Sequence, residues 1–421
     1  LTDPAARRRQ ALAIFAALTA AYAASQFYRA SPAVIAPDLM RDLALSAESV
    51  GGIAGMFFLI FGLAQLPVGV LLDRFGPRRA MSCLLLVAVA GALTFALAES
   101  GRGLAVGRGL MGLGCAAGLM GALVVLGRWF PPEKFATMGG LLMGFASSGV
   151  LLAATPLAFA SAHVGWRAAF FAAAAITALL AVLLYLVVRD APSGHASASK
   201  VHEGPREILQ GLGEVMRNRD LWCICAMQLS IYPSVMAVAG LWAGPYLNDV
   251  HDLDTVARGN VMNILYAALV ISPIMFGPLD RVFRTRKWVV VGSAVSLAVI
   301  FTVLALWPRP ALWQVMILFL LLGLASAGSL VLHAHARSVL PERLLGRGMT
   351  LQNTASMGGI FLMQGATGMI VGLFENGGPI PEIGYRLAFG FLAGSLLVSL
   401  LIYLRVRDVG PGEVLYPAGS S

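Results

Sequence analysis

The sequence predicts an all-α polytopic membrane protein with twelve transmembrane helices in two pseudo-symmetric six-helix bundles. Three observations carry that expectation. First, the 421 residues are 58% hydrophobic and only 12% charged, against about 25% charged in soluble proteins, and mean hydropathy is +0.80. Second, the apolar residues fall into repeated blocks, each close to the ~20 residues that cross a bilayer as a helix. Third, short charged motifs recur at about half the chain length, which implies two related halves. The halves are expected at 1–188 and 220–421, joined by a cytoplasmic linker at 189–219.

Taken in order, the spans lie between charges and turn residues. The first, near 11–37, follows Arg7-Arg8-Arg9 and stops at Asp38; the second, 48–72, ends at Asp73-Arg74. The third and fourth, 79–98 and 103–127, are separated by Glu99 to Arg102, and the fourth ends at Arg128. The fifth and sixth, 135–160 and 166–188, lie between Lys134 and Arg189. The second half repeats the series at 220–247, 257–278, 288–306, 311–335, 348–374 and 385–404. Of the thirty Lys and Arg residues, twenty-two fall on the side of the N-terminus and six, Arg41, Arg102, Arg167, Arg258, Arg309 and Arg386, on the other. The positive-inside rule then makes both termini cytoplasmic. Within the linker, Ile208, Leu209, Leu212, Val215 and Met216 share a helical face, as in a short helix lying on a membrane surface. Short exterior loops, the lack of an Asn-x-Ser/Thr acceptor and richness in Ala, Gly and Arg fit a bacterial inner membrane.

A net charge of +9 raises nucleic acid as a partner, but the basic residues sit at the ends of apolar blocks rather than among aromatics. Their placement is topogenic, so the expected partners are the bilayer and a small substrate, with no nucleic acid and a monomeric chain. Cys83, Cys115, Cys223 and Cys225 all lie in apolar blocks and read as packing residues; Cys223-Ile-Cys225 lacks metal-site spacing. Glycines from Gly107 to Gly121 and from Gly139 to Gly149 are too dispersed for a phosphate loop and suit close helix approach. No serine-histidine-acid or zinc constellation points to an enzyme. No cofactor is expected beyond a coupling proton or counter-anion.

The repeat consists of Gly69-Val-Leu-Leu-Asp73-Arg74-Phe-Gly76-Pro-Arg78-Arg79 after the second span and Gly277-Pro-Leu-Asp280-Arg281-Val-Phe-Arg284-Thr-Arg286-Lys287 after the eighth. Trp129-Phe-Pro-Pro-Glu133-Lys134 is echoed by Val339-Leu-Pro341-Glu342-Arg343. The first stretch resembles the conserved loop between the second and third helices of the major facilitator superfamily, G-x-x-x-D-R-x-G-x-R-R, and the resemblance covers essentially the whole chain. It implies alternating access between the halves, with Asp73, Arg74, Arg78, Asp280 and Arg281 as gating residues.

Two cations remain unassigned to any loop, Arg29 and Arg108. At ~1.5 Å rise per residue both lie roughly 7–11 Å outward of the midplane. A charge at membrane depth costs ~2.5 kcal/mol or more on insertion scales and normally faces a bundle interior. No acidic residue is expected at that level, so the compensating charge is assigned to an anionic cargo, gripped through guanidinium forks. Snorkelling, or bonding to backbone carbonyls, is the alternative use of either arginine. Tyr28-Arg29, Gly107-Arg108-Gly-Leu-Met-Gly112 and Arg128-Trp129-Phe130-Pro131-Pro132 resemble the organic-anion symporter branch of the superfamily, which implies substrate binding or charge coupling at Arg29 and Arg108. The resemblance departs at Cys115, where many of those carriers have a protonatable glutamate. The nitrate-carrier branch fits less well, because its glycine-rich signature and second-helix arginine are not evident.

Gln26 and Tyr28 on the first span, Gln228 and Tyr232 on the seventh, Tyr266 on the eighth and Gln364 on the eleventh are candidates to complete a half-polar cavity. Tyr22 on the first span and Asn263 on the eighth belong to the same set, and helix-to-helix hydrogen bonding is the competing role for all of them. His333, near the end of the tenth span, is the candidate proton site, with an interfacial place for both His333 and His335 as the alternative. The expected function is secondary active transport of a small organic anion. The rivals are an exporter of amphipathic compounds, disfavoured because the glycine-proline signature of drug antiporters is not clear in Gly139 to Pro156, and a transporter-like membrane sensor.

Overall fold

A computed structural model describes residues 4–190, 214, 216–341, 344–375 and 378–410. Among them every regular element is helical. Eleven helical runs are long and apolar enough to cross a membrane. One of these, Thr137–Val187, has 51 residues, which at ~1.5 Å per residue is more than twice the ~30 Å hydrocarbon core. It bends back at Gly165, whose φ of 83° and ψ of 153° lie outside the helical region. Only glycine adopts that conformation without strain, so the run is two crossings and the twelve-span expectation is met. Large apolar side chains such as Leu63, Leu66, Ile176, Leu186 and Ile274 are exposed on the outer faces, as a lipid-facing surface requires.

The chain divides into two compact units. Unit 1 comprises Leu1–Leu45, Met56–Lys200 and Thr255–Gly259; unit 2 comprises Ser46–Gly55, Val201–Asp254 and Asn260–Ser421. In this division Ser46–Gly55 of the second span falls in unit 2 and Thr255–Gly259 of the eighth in unit 1. Physical reasons are visible in both. Gly51 has no side chain to keep it off the Gln364 carbonyl, and Gly259 lies against Thr155 and Ala158. The linker helix expected over Glu207–Met216 falls almost wholly outside the described residues.

In unit 1, α1 (Pro4–Leu43) is one continuous helix with Pro32 and Pro37 inside it. It is followed by α2 (Ala47–Phe75), α3 (Pro77–Ala96), α4 (Gly101–Cys115) and α5 (Gly118–Trp129). The fourth span thus breaks after Cys115, at Ala116 and Ala117. Beyond it come α6 (Pro132–Ala146), α7 (Ser148–Leu152) and α8 (Thr155–Val187). A Cβ at Gly112 would overlap the carbonyl of Phe57, so glycine is what lets α4 press against α2 there.

In unit 2, α9 (Arg219–Gln228) and α10 (Ile231–Ala237) lead into a π-helical turn, Val238–Trp242, and then α11 (Ala243–Asp249). The remaining helices are α12 (Thr255–Phe276), α13 (Leu279–Phe283), α14 (Lys287–Leu306), α15 (Leu312–Ala325), α16 (Gly328–Ser338), α17 (Leu345–Gly372) and α18 (Glu382–Tyr403).

Candidate functional site

The centre of the site in unit 1 is a proline. Pro32 has no N–H, so the carbonyl of Tyr28, four residues earlier on α1, loses its helical partner. Arg108 supplies a replacement: its Nη1 donates to the Tyr28 oxygen at 2.5 Å, across from α4. Ser31 Oγ donates to the same carbonyl at 3.2 Å. Arg108 is 1% exposed, and its guanidinium lies over the Phe57 ring at 4.8 Å. One charged fork is thereby tied to backbone and to an aromatic face.

Arg29, the next residue after that carbonyl, is placed differently. Its guanidinium lies 4.4 Å from the centroid of Phe61, and its Nε is buried with no hydrogen-bond partner among the described residues. The Phe57 and Phe61 rings, one turn apart on α2, stack on each other at 6.1 Å and 15°. Two guanidiniums therefore sit on one aromatic pair. Cation–π contact with a ring spreads charge without neutralising it. An anion's oxygen atoms would supply what the rings do not.

The other candidates of unit 1 divide. Gln26 is half-buried three residues before Arg29, on the same face of α1. Tyr28 contributes its carbonyl, whereas its hydroxyl is spent on Thr177 of α8 at 2.9 Å. In the loop motif, Asp73 and Arg74 are exposed, and among the described residues no hydrogen bond or ion pair engages either side chain. Arg78 does engage: Nε donates to the Tyr185 carbonyl at 2.6 Å and the guanidinium lies over the Tyr185 ring at 4.4 Å.

Sequence reasoning missed three features. Asp190 caps α3, accepting the Arg78 backbone N–H at 2.7 Å; Asp408 accepts the Lys287 N–H at 3.1 Å and the Thr285 hydroxyl at 2.5 Å in the other unit. A repeat of Tyr-Leu-x-Val-Arg-Asp, at Tyr185 to Asp190 and Tyr403 to Asp408, is the signal that announces the pair. The third is Asp38, placed in a loop by sequence but buried on α1, with Arg41 at 3.3 Å, Arg258 at 4.0 Å and Ser161 at 3.4 Å. Arg258, expected in an exterior loop, is 2% exposed and bonds Thr255 at 2.8 Å.

Unit 2 holds the remaining candidates. Tyr266 donates to the carbonyl of Ala239 at 2.7 Å and Gln364 to that of Met236 at 3.3 Å. Both acceptors lie in or just before the π-helical turn, where the backbone ladder changes register and frees carbonyls. Gln228 accepts from Gln352 at 3.5 Å, and its Nε2 is buried without a partner among the described residues. Tyr232 is half-buried. His333 bonds the carbonyl of Ser329 on its own helix at 2.8 Å, while His335 is buried between Tyr403 at 2.6 Å and the Arg407 carbonyl at 3.0 Å. Asp280 is buried and lies 3.7 Å from Arg286, whereas Arg281 is exposed. Among the described residues no cluster of His, Cys, Asp and Glu is arranged to hold a metal.

A family model described as the Major Facilitator Superfamily matches residues 14–362. The nitrate/nitrite transporter NrtP of Picosynechococcus sp. is 30% identical over 232 residues, covering 48% of this chain and 42% of that protein. The hexuronate transporter of Escherichia coli K12 is 26% identical over 292 residues, 65% of each chain. The probable hexose phosphate transport protein of Chlamydia trachomatis is 22% identical over 334 residues, 73% of each. The chain thus spans about two fifths of the length of the nitrate/nitrite relative and just under two thirds of the hexuronate one. Among solved structures, a bacterial homologue of the human lysosomal transporter Spinster superposes with a TM-score of 0.77 at 18% identity, over 94% of this chain and 97% of that one. The xylose transporter XylE from E. coli gives 0.73 at 14%, over 95% and 97%. At those identities the likeness is one of fold. The nitrate branch, ranked behind organic anions on sequence, is represented among the relatives.

Proposed function

The chain belongs to the Major Facilitator Superfamily, a family of transporters rather than enzymes, and from that premise we propose that it is a secondary transporter of a small anion. Arg29 is the direct anion ligand, and Arg108 is the residue that fixes the helix carrying it. The observation that carries this reading is the buried Arg29 Nε with no hydrogen-bond partner among the described residues. Relatives named for nitrate, nitrite, hexuronate and hexose phosphate support an anionic cargo. A carboxylate, nitrate or phosphate oxygen pair completes the guanidinium fork without a protein acid. Gln26, three residues before Arg29 on the same face of α1, supplies a hydrogen bond that orients the substrate.

Transport follows alternating access, with a proton or counter-anion as the coupled species. Arg78 and Asp190 in one repeat, and Asp280, Arg286 and Asp408 in the other, anchor the loops that change between states. The protein is a monomer in a bacterial inner membrane with both termini cytoplasmic, in accord with its charge distribution.

The test is thermal stabilisation of the purified protein across carboxylates, phosphonates, sulfate, nitrate and neutral or cationic compounds, repeated on Arg29→Gln. Stabilisation confined to certain anions and lost in the variant is the expected result. Equal stabilisation of both proteins, or stabilisation by neutral or cationic compounds, overturns the reading.

A further inference from the structure

A second site lies in unit 2 and is lined by none of the anion-ligand candidates. It is a groove of about 940 Å³ walled by α14, by α13 and the end of α12, and by the junction of α15 with α16. That volume is at the upper end of what ligand pockets offer, ~300–1,000 Å³. Its floor is open at Gly292, where a Cβ would meet nothing within 4 Å. Val299 and Leu321 line it farther along, and Trp288 and Phe283 stand at one end.

The polar side chains along the groove are turned to their own backbone or neighbours. Ser293 donates to the Ala325 carbonyl, Ser296 to the Gly292 carbonyl and Thr285 to Asp408. What the groove offers a ligand is therefore hydrocarbon. A hydrophilic substrate gains nothing there, whereas an acyl chain buries about 25 cal/mol for each Å² of apolar surface it shares with the walls.

One end is charged. Thr285, inside the basic run Arg281 to Lys287, and Trp288, just after it, line the groove. Two of its cations are committed: Arg286 pairs with Asp280 at 3.7 Å, and Lys287 donates to the Leu404 carbonyl at 2.7 Å. Arg281 and Arg284 are exposed and make no ion pair among the described residues. Arg284 ends α13 in the left-handed conformation, φ 52°, a backbone conformation uncommon for a residue other than glycine. Trp288 and Phe283, 59% and 64% exposed, are the aromatic types that settle at a membrane interface. Cations adjoining in sequence the aromatic residues at the end of a hydrocarbon slot match an anionic headgroup attached to an acyl chain. Anionic lipids enrich the cytoplasmic leaflet, the side to which positive-inside assigns this run.

We infer that this groove binds one anionic phospholipid, its headgroup phosphate at Arg281 and Arg284 and an acyl chain along Gly292 and Val299. The site is independent of the anion reading, since it needs only a bilayer around unit 2.

The experiment is native mass spectrometry of the whole protein, released from nanodiscs of phosphatidylglycerol and phosphatidylethanolamine mixed in equal amounts. The wild type is expected to retain one phosphatidylglycerol at least threefold over phosphatidylethanolamine. Gly292→Leu, whose Cβ enters open space at the floor, is expected to abolish retention. Arg281→Gln with Arg284→Gln is expected to keep a lipid but lose the preference between headgroups. Should Gly292→Leu fail to fold, by its melting point in lipid-free detergent, Ser296→Leu on the same wall takes its place. Retention unchanged by the filled groove overturns the inference, as does a wild type with no headgroup preference.

Discussion

Unit 1 and unit 2 answer the same problem, a helix whose backbone ladder is interrupted, with opposite chemistry. In unit 1 the carbonyl of Tyr28, orphaned by Pro32, is bonded by a charged residue, Arg108. In unit 2 the carbonyls around the π-helical turn are bonded by neutral ones, Tyr266 and Gln364. The difference matters because a neutral donor satisfied by one carbonyl leaves no charge behind. A guanidinium does, and Arg29 beside it adds a second positive charge. Related bundles thus diverge into a cationic interior and a neutral one, and only the cationic interior calls for an anion.

The largest expected effect tests that contrast directly. Truncating one partner of a desolvated charge pair costs ~2–5 kcal/mol, and every ~1.4 kcal/mol is tenfold. Arg29→Gln should therefore lower anion affinity, read as uptake into proteoliposomes, by ~30-fold or more. A neutral hydrogen bond is worth ~0.5–1.5 kcal/mol, so Gln364→Leu should cost ~10-fold at most. Equal losses would break the comparison, because the charge of unit 1 would then contribute nothing that an amide does not.

A smaller effect separates the two arginines. A hydrogen bond from a charged group is worth ~1.5–3 kcal/mol, and Arg108→Gln, which leaves the Tyr28 carbonyl to the Ser31 hydroxyl alone, should destabilise the protein by up to about that amount. Pro32→Ala restores an N–H for the Tyr28 carbonyl, so in that background the cost of Arg108→Gln should shrink. A double-mutant cycle on chemical unfolding in detergent should show a coupling of ~1 kcal/mol or more. No coupling would mean that Arg108 is not there for the carbonyl, and it would return to the role of anion ligand given it on sequence.

Much of this was legible in the residues alone. Twelve spans follow from apolar block length, and the long-range repeat follows from Asp73 and Asp280. Arg29 and Arg108 stand out because a charge inside an apolar block demands a cause. What the sequence hid is whatever depends on which way a side chain turns. Arg29 and Arg108 look alike as letters, and only the meeting of α4 with α1 at Pro32 divides their roles. Asp38 follows Pro37 and reads as a loop residue, yet α1 continues to Leu43 and buries it. Asp73 carries the family-like motif, but Asp190, more than a hundred residues away, caps the helix that follows it. Contacts of that separation leave no local trace beyond the repeated Tyr-Leu-x-Val-Arg-Asp.

The smallest expected effect lies at the end of α11 in unit 2, outside the membrane-spanning segments, where a charge is refused rather than exploited. His251 meets the edge of Tyr246 at 5.5 Å, and its Nε2 is buried with no hydrogen-bond partner among the described residues. Burial pushes the imidazole below its ordinary value of 6.5, against the opposing pull of Glu382 and Asp252. With the folded pKa depressed, the unfolded chain binds the proton first as pH falls, so the native state loses stability below about pH 6.5 and levels off once the folded imidazole titrates. The melting temperature should accordingly decline between pH 7.5 and the folded pKa, and His251→Gln should remove that component while leaving the carboxylate titrations at lower pH in place. If His251→Gln leaves the decline unchanged, some other group carries it, and the neutrality of unit 2 does not extend to this histidine.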